Sequence, residues 1–167
     1  HDALPICLVA TSLAPMVRVV CASPEYLREH GVPASPGELP EHAGIDWDNL
    51  SPPYAWRFQH DGKLQHLRPK RARLATNNAE AMVDAALAGL GIAHLPTWLC
   101  SEYLLRGELQ ALFCDEGLPA AEPTCIYALR LEREASSRTR LLLAFLRERF
   151  GFPPPWDQAL QQRLGER

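Results

Sequence analysis

Apolar residues along this chain fall into short β-branched or alternating runs and longer amphipathic stretches, and most boundaries carry a start or stop signal. "MVRVVCA" (16–22) is continuous and β-branched, which predicts a strand covered on both faces. It runs into "SPEYLREHG", where Ser23 suits an N-cap, Pro24 the first helical position, Glu25 the positive end and Gly31 the stop. Ser35 and Glu38 fit a capping box with Pro36 in the first turn, so a short helix is expected to about His42. "GIDW" and "YAWRFQ" read as strands around the loop "DNLSPP", and an "HDG" turn pairs the second with "KLQHL" as a hairpin. "RARLA" (71–75) alternates charged and apolar residues as a further strand.

The densest signal is "TNNAEAMVDAALAGLGIAHLP" (76–96). Asn77 is placed to cap, with Glu80 reaching back, and Ala79, Met82, Val83, Ala86, Leu87 and Leu90 recur at helical spacing. Gly89 and Gly91 stop the helix, each read as a residue at positive φ, and "IAHLP" returns as a short strand. Thr97 opens a second helix that Gly107 closes, and "ELQALF" and "TCIYALRL" are strands. "SSRTRLLLAFLRERFG" is a closing helix with Leu141, Leu142, Phe145 and Leu146 on one face and arginines in its last turn. The tail "PPPWDQALQQRLGER" is broken by prolines and is expected to pack weakly. Strands alternating with capped helices predict an α/β fold with mostly parallel pairing, and no internal repeat is visible.

Composition narrows the function classes. The 167 residues suffice for one domain or two small lobes, and 47% hydrophobic with 22% charged residues is ordinary for a soluble globular chain. With 17 Lys plus Arg against 20 Asp plus Glu the formal charge is −3, a poor balance for gripping a phosphate backbone. The one basic run, "RPKRAR" (68–73), reads either as a phosphate patch or as the charged face of an exposed strand. No apolar run approaches the ~20 residues of a membrane span, and the N-terminus lacks the layout of a signal peptide. A start at His1 rather than Met leads us to expect an upstream segment. The five cysteines form no C-x-x-C pair and the six histidines no H-x-x-x-H pair, so neither a metal nor a cofactor is expected, and buried, reduced cysteines in the cytoplasm are.

Five of these segments, in this order and approximate spacing, resemble the effector-binding domain of LysR-type transcriptional regulators: "LAPMVRVVCASPEYLREHG", the Trp56–Arg57–Phe58 run before a hairpin, "NNAEAMVDAALAGLGIAHLP", "LRGELQALF" and "SSRTRLLLAFLRERF". The resemblance runs from Leu13 to about Gly151, and "ALAGLGIAHLP" is its most specific piece. It implies a periplasmic-binding-protein type II-like α/β fold of two subdomains joined by crossing strands. On that basis residues 1–19 are a remnant of the first subdomain with a crossover strand, 20–120 the second subdomain, 121–151 the return strand and closing helix, and 152–167 a tail. The winged helix-turn-helix that reads DNA and most of the first subdomain are missing from this pattern. The implied partners are a small-molecule effector and further copies in a homodimer or tetramer of the full-length regulator. DNA would be met only through the absent winged helix-turn-helix, and a membrane not at all.

In such sheets ligands sit at carboxyl strand ends against helix N-termini. Two ends are readable: "VVCA" into Ser23 and Pro24, and "RLA" into Thr76, Asn77 and Asn78, each with bare amides suited to an anion. Gly91, Ile92, Ala93, His94, Leu95 and Pro96 form the expected third wall. Capping alone also accounts for Ser23, Thr76 and Asn77, and His94 also reads as a partly buried strand residue. The function expected is effector sensing without catalysis. A solute-binding protein of the same fold remains an alternative, as does a small enzyme using Cys21 or Ser23 as nucleophile.

Overall fold

The computed structural model describes residues 8–48, 56–60, 63–114, 118–119, 122–131 and 134–165. The "DNLSPP" loop beyond Asp48 and the Asp61–Gly62 turn lie outside them. The elements in chain order are β1 (Val9–Met16), β2 (Arg18–Ala22), α1 (Pro24–His30), a 3-10 turn (Pro36–Glu41), β3 (Ala43–Trp47), β4 (Trp56–His60), β5 (Lys63–Leu67), β6 (Arg71–Thr76), α2 (Ala79–Leu87), β7 (Ile92–Pro96), α3 (Thr97–Arg106), β8 (Gln110–Leu112), β9 (Glu122–Arg130), α4 (Ser137–Phe150) and α5 (Pro155–Gly165).

The strand expected over 16–22 is two strands. β1 ends at Met16 and pairs antiparallel with β9 in a separate ribbon, while β2 begins at Arg18 in a five-stranded sheet ordered β6–β3–β7–β2–β8. Only Val17 separates the two. Parallel pairing holds on one half of the sheet, β3 with β6 and β7, whereas β2 runs antiparallel to both β7 and β8. The "YAWRFQ"/"KLQHL" hairpin forms as β4 and β5, in register from Trp56↔Leu67 to His60↔Lys63.

The uninterrupted apolar run of β2 has its explanation in two covered faces. Val19 and Cys21 join Ile45, Ala93 and Leu95 against Met82, Val83 and Ala86 of α2 and Cys100 and Leu104 of α3. Val20 and Ala22 join Ile92 on the opposite face, against Tyr26 and Leu27 of α1, Leu39 and Trp56. Alternate residues of one strand thus feed two cores.

The caps follow the sequence with shifts of one residue. Ser23 Oγ accepts from the Tyr26 N–H at 3.2 Å. Asn78, not Asn77, caps α2, its Oδ1 accepting from Glu80 N–H at 2.9 Å and Ala81 N–H at 3.2 Å. Around Ser35 the capping box does not form: the serine makes no cap bond, and Glu38 Oε2 accepts from Ala34 N–H, one residue before the cap, at 2.9 Å. Gly89 takes φ +73, but Gly91 does not lie at positive φ. Gly91 is required by closeness, since a Cβ there would stand 2.5 Å from the Ala43 carbonyl oxygen on the neighbouring strand.

The tail packs more firmly than its prolines suggest. Pro155 occupies the first turn of α5, a position where a missing N–H costs nothing. Leu160 is buried in the same core as α3, and Asp157 lies buried beside Thr97. By contrast α4 buries no residue: Leu141 is 72% exposed and Phe145 60%. Its apolar face and Leu129 on β9 are left uncovered among the described residues.

Candidate functional site

Strand direction decides which candidate residues can meet. β3, β6 and β7 run the same way, and their registers bring Thr76 beside Trp47, and Trp47 towards Leu95 and Pro96. β2 runs against them, so its first residue, Arg18, pairs with Pro96 and Cys21 with Ala93. Ser23 therefore follows β2 to the other end of the sheet, where its Oγ lies 3.5 Å from a Cβ built on Gly89. Five residues of strand at about 3.3 Å each separate the two ends by roughly 15 Å. The expected shared hollow between the helices at Ser23 and Thr76 does not exist. Ser23, Pro24, Gly91 and Ile92 belong to one end of the sheet, and Thr76, Asn77, Asn78, Leu95 and Pro96 to the other.

The anion cradle expected from bare amides is likewise filled from within. Asn78 uses its side chain on two of the first amides of α2, and its own N–H donates to Thr76 Oγ1 at 3.1 Å. Thr76 O accepts from Asp48 N–H at 3.1 Å, tying the ends of β3 and β6 together. Asn77 stands exposed and outside the cap, which leaves its amide available to a ligand.

The β7 wall is a core strand rather than an open one. All of Ile92, Ala93, His94, Leu95 and Pro96 are buried. Ala93 and Leu95 face α2 and α3, and Ile92 faces α1. The His94 ring lies 5.5 Å from the Trp56 ring of the hairpin. Its carbonyl accepts from Arg18 Nη1 at 3.2 Å, so Arg18 is held across the end of β7.

Polar residues that sequence reasoning passed over sit near this same end. Asp46 alternates with Ile45 and Trp47 along β3 and so takes the hairpin side of the sheet. Arg68 Nη1 meets Asp46 Oδ2 at 3.3 Å. Burial pushes the Asp46 carboxyl above its ordinary value while Arg68 pulls it back. The period-2 pattern of "GIDW" carried this signal, since a strand with Ile and Trp on the core side must turn Asp46 the other way.

Cys21, one of the two nucleophiles considered for an enzyme, is shut away, and Ser23, the other, is buried with its Oγ engaged in capping α1. Cys21 is fully buried, and a hydrogen bond with Cys100, followed by burial, pushes its thiol well above the usual range. A protonated, inaccessible thiol attacks nothing. Among the described residues no cluster of His, Cys, Asp or Glu has the makings of a metal site, and no helix is long and apolar enough to cross a membrane.

A mixed sheet with helices on both faces and a separate crossover ribbon define an α/β fold of the periplasmic-binding-protein type II kind. Residues 5–151 match the LysR substrate binding domain, and the chain belongs to that family. It is 32% identical over 130 residues to the HTH-type transcriptional activator AaeR of Escherichia coli, covering 76% of this chain and 40% of AaeR. It is 31% identical over 148 residues to the HTH-type transcriptional regulator PtxR of Pseudomonas aeruginosa, covering 88% of this chain and 46% of PtxR. The chain thus spans less than half of either relative. Among solved structures, the regulatory domain of CrgA from Neisseria meningitidis superposes with a TM-score of 0.73 at 27% identity, over 86% of this chain and 70% of that one. Full-length AphB from Vibrio cholerae shares the fold at a TM-score of 0.69 and 23% identity, over 87% of this chain and 49% of AphB.

Proposed function

We propose that this chain senses a small, anionic metabolite on behalf of a cytoplasmic transcriptional regulator. The effector sits between the subdomain built on the five-stranded sheet and a first subdomain to which β1, β9 and α4 belong. Thr76, Asn77 and Asn78 line its near side, with Arg18 supplying positive charge at the end of β7. The observation that carries this reading is convergence: parallel β3 and β6 end together at Trp47 and Thr76, at the end of the sheet where Val17 joins β2 to β1. Thr97 N–H and Oγ1 both bond the Val17 carbonyl, at 3.0 and 3.3 Å, so the crossing point is tied to the start of α3. A ligand that favours one angle between the subdomains needs only unequal affinity for two arrangements to act as a signal. DNA contact belongs to a winged helix-turn-helix elsewhere in the full-length protein, which works as a homodimer or tetramer. The transcription-regulator names of the relatives favour this reading over an exported solute-binding protein.

The test is thermal melting of the full-length regulator with a panel of small carboxylates. Ligand at a hundredfold excess over Kd stabilises by about 2.7 kcal/mol. Asn77→Ala, which touches no cap, is expected to weaken that response without lowering the ligand-free melting temperature. A panel that never shifts the melt, or a shift that Asn77→Ala and Thr76→Ala both leave intact, would remove the proposed site.

A further inference from the structure

At the opposite end of the sheet a cleft of about 860 Å³ opens between α1, the 3-10 turn and the edge strand β6. Its lining includes Tyr26, His30, His42, Lys70, Arg71 and Arg73. Its volume falls inside the roughly 300–1,000 Å³ of small-molecule sites. Three of its cations come from the "RPKRAR" run, which the effector cleft does not use.

Two of those cations are brought to the cleft by different means. Arg71 pairs with Ala43, which packs on the α1 side of the sheet, whereas Arg73 is the extra residue where the β3–β6 register shifts, near enough to Tyr26 for its charge to act on that hydroxyl. Two residues apart on one strand, they stand no more than about 7 Å from each other. Lys70 pairs with Glu41 across the cleft at 3.0 Å, whereas neither Arg71 nor Arg73 has a carboxylate partner among the described residues. The remaining wall is fixed: the buried Tyr26 ring stacks on His30 at 4.4 Å, and its hydroxyl accepts from Ala43 N–H at 2.9 Å. Guarding a sheet edge explains charges on β6. It does not explain a cleft lined by two guanidinium groups that have no carboxylate partner among the described residues.

We propose that this cleft is a second ligand site, separate from the effector cleft, which takes a compact oxyanion of two or more negative charges between Arg71 and Arg73. A phosphate ester and a polycarboxylate share that chemistry, and guanidinium forks bind either in bidentate fashion.

The test is titration of the chain with inorganic pyrophosphate and with citrate at constant ionic strength, read by calorimetry. Saturable binding of pyrophosphate alone assigns a phosphate ligand, and of citrate alone or of both a polycarboxylate-tolerant site. Arg71→Gln and Arg73→Gln, both exposed and so neutral to folding, are each expected to weaken binding about tenfold or more, the loss of one charge-assisted bidentate contact. Glu41→Gln, which releases Lys70, is expected to tighten it. Failure of both probes to saturate, or binding that both arginine variants retain, overturns the proposal. Neither result bears on the effector cleft, whose own test reads Asn77 and Thr76.

Discussion

Gly91 illustrates how a residue can be identified correctly for the wrong reason. A glycine after "ALAGL" suggests a left-handed stop, but only Gly89 takes that conformation. Gly91 lies against the backbone of β3, with room for a hydrogen and nothing larger. The obstacle is a carbonyl in a paired strand, which cannot swing aside as a side chain would. Gly91→Ala should therefore cost about 1–3 kcal/mol, the range for overpacking, measured by urea unfolding. A melt like the parent's would show that β3 and β7 separate easily. Asp157 gives a prediction with a sign. Burial raises its pKa above the ordinary 3.8, and the neighbouring Thr97 side chain offsets part of the rise. An acid whose folded pKa is raised binds more protons folded than unfolded. Its burden on stability is thus absent at low pH, grows as pH climbs through 3.8 and is complete above the folded value. Asp157→Asn should be more stable than the parent at neutral pH, and the ionisation part of the difference should shrink as pH falls towards 3.8 and be gone below it, as read by melting across that range. A gain that is flat with pH would exclude ionisation as its cause.

Among the elements, capped helices were the most legible, because Ser23, Gly31 and Gly107 act locally and are satisfied by neighbours in sequence. The choice between Asn77 and Asn78 was not legible, since it turns on whether Thr76 receives the next amide. The break at Val17 was invisible for a similar reason. β-branched residues suit either sheet, and the change from ribbon to sheet is set by partners distant in sequence, Glu122 to Arg130 for β1 and Ala93 to Pro96 for β2. The tail misled through its prolines, which break a helix from inside but open one at its first turn. Because α5 docks on α3 through Leu160, Leu160→Ala should destabilise by about 2–5 kcal/mol, as other buried leucines do. Guanidinium unfolding in which that variant matches the parent would return the segment to the status of a loose end.

For the molecule as a whole, the α/β class and the family were readable from order and spacing, but the polarity of the sheet was not. Alternation of apolar residues is the same whichever way a strand runs, so nothing in "VVCA" reveals that β2 opposes β7. That single reversal moved Ser23 away from Thr76 and divided one imagined site into two ends. One end carries Thr76, Asn77 and Arg18, and the other holds the cleft beneath Arg71 and Arg73.

The lone residue between ribbon and sheet has a consequence for how this domain can vary. Seven ribbon pairs fix the phase of β1 and β9 on one side of Val17, and four pairs with β7 fix that of β2 on the other. A spacer so short offers little slack to absorb an added or lost amino acid. Unless the irregular ribbon register between Pro15 and Met16 takes it up, such a change turns the side chains of one neighbour to the opposite face.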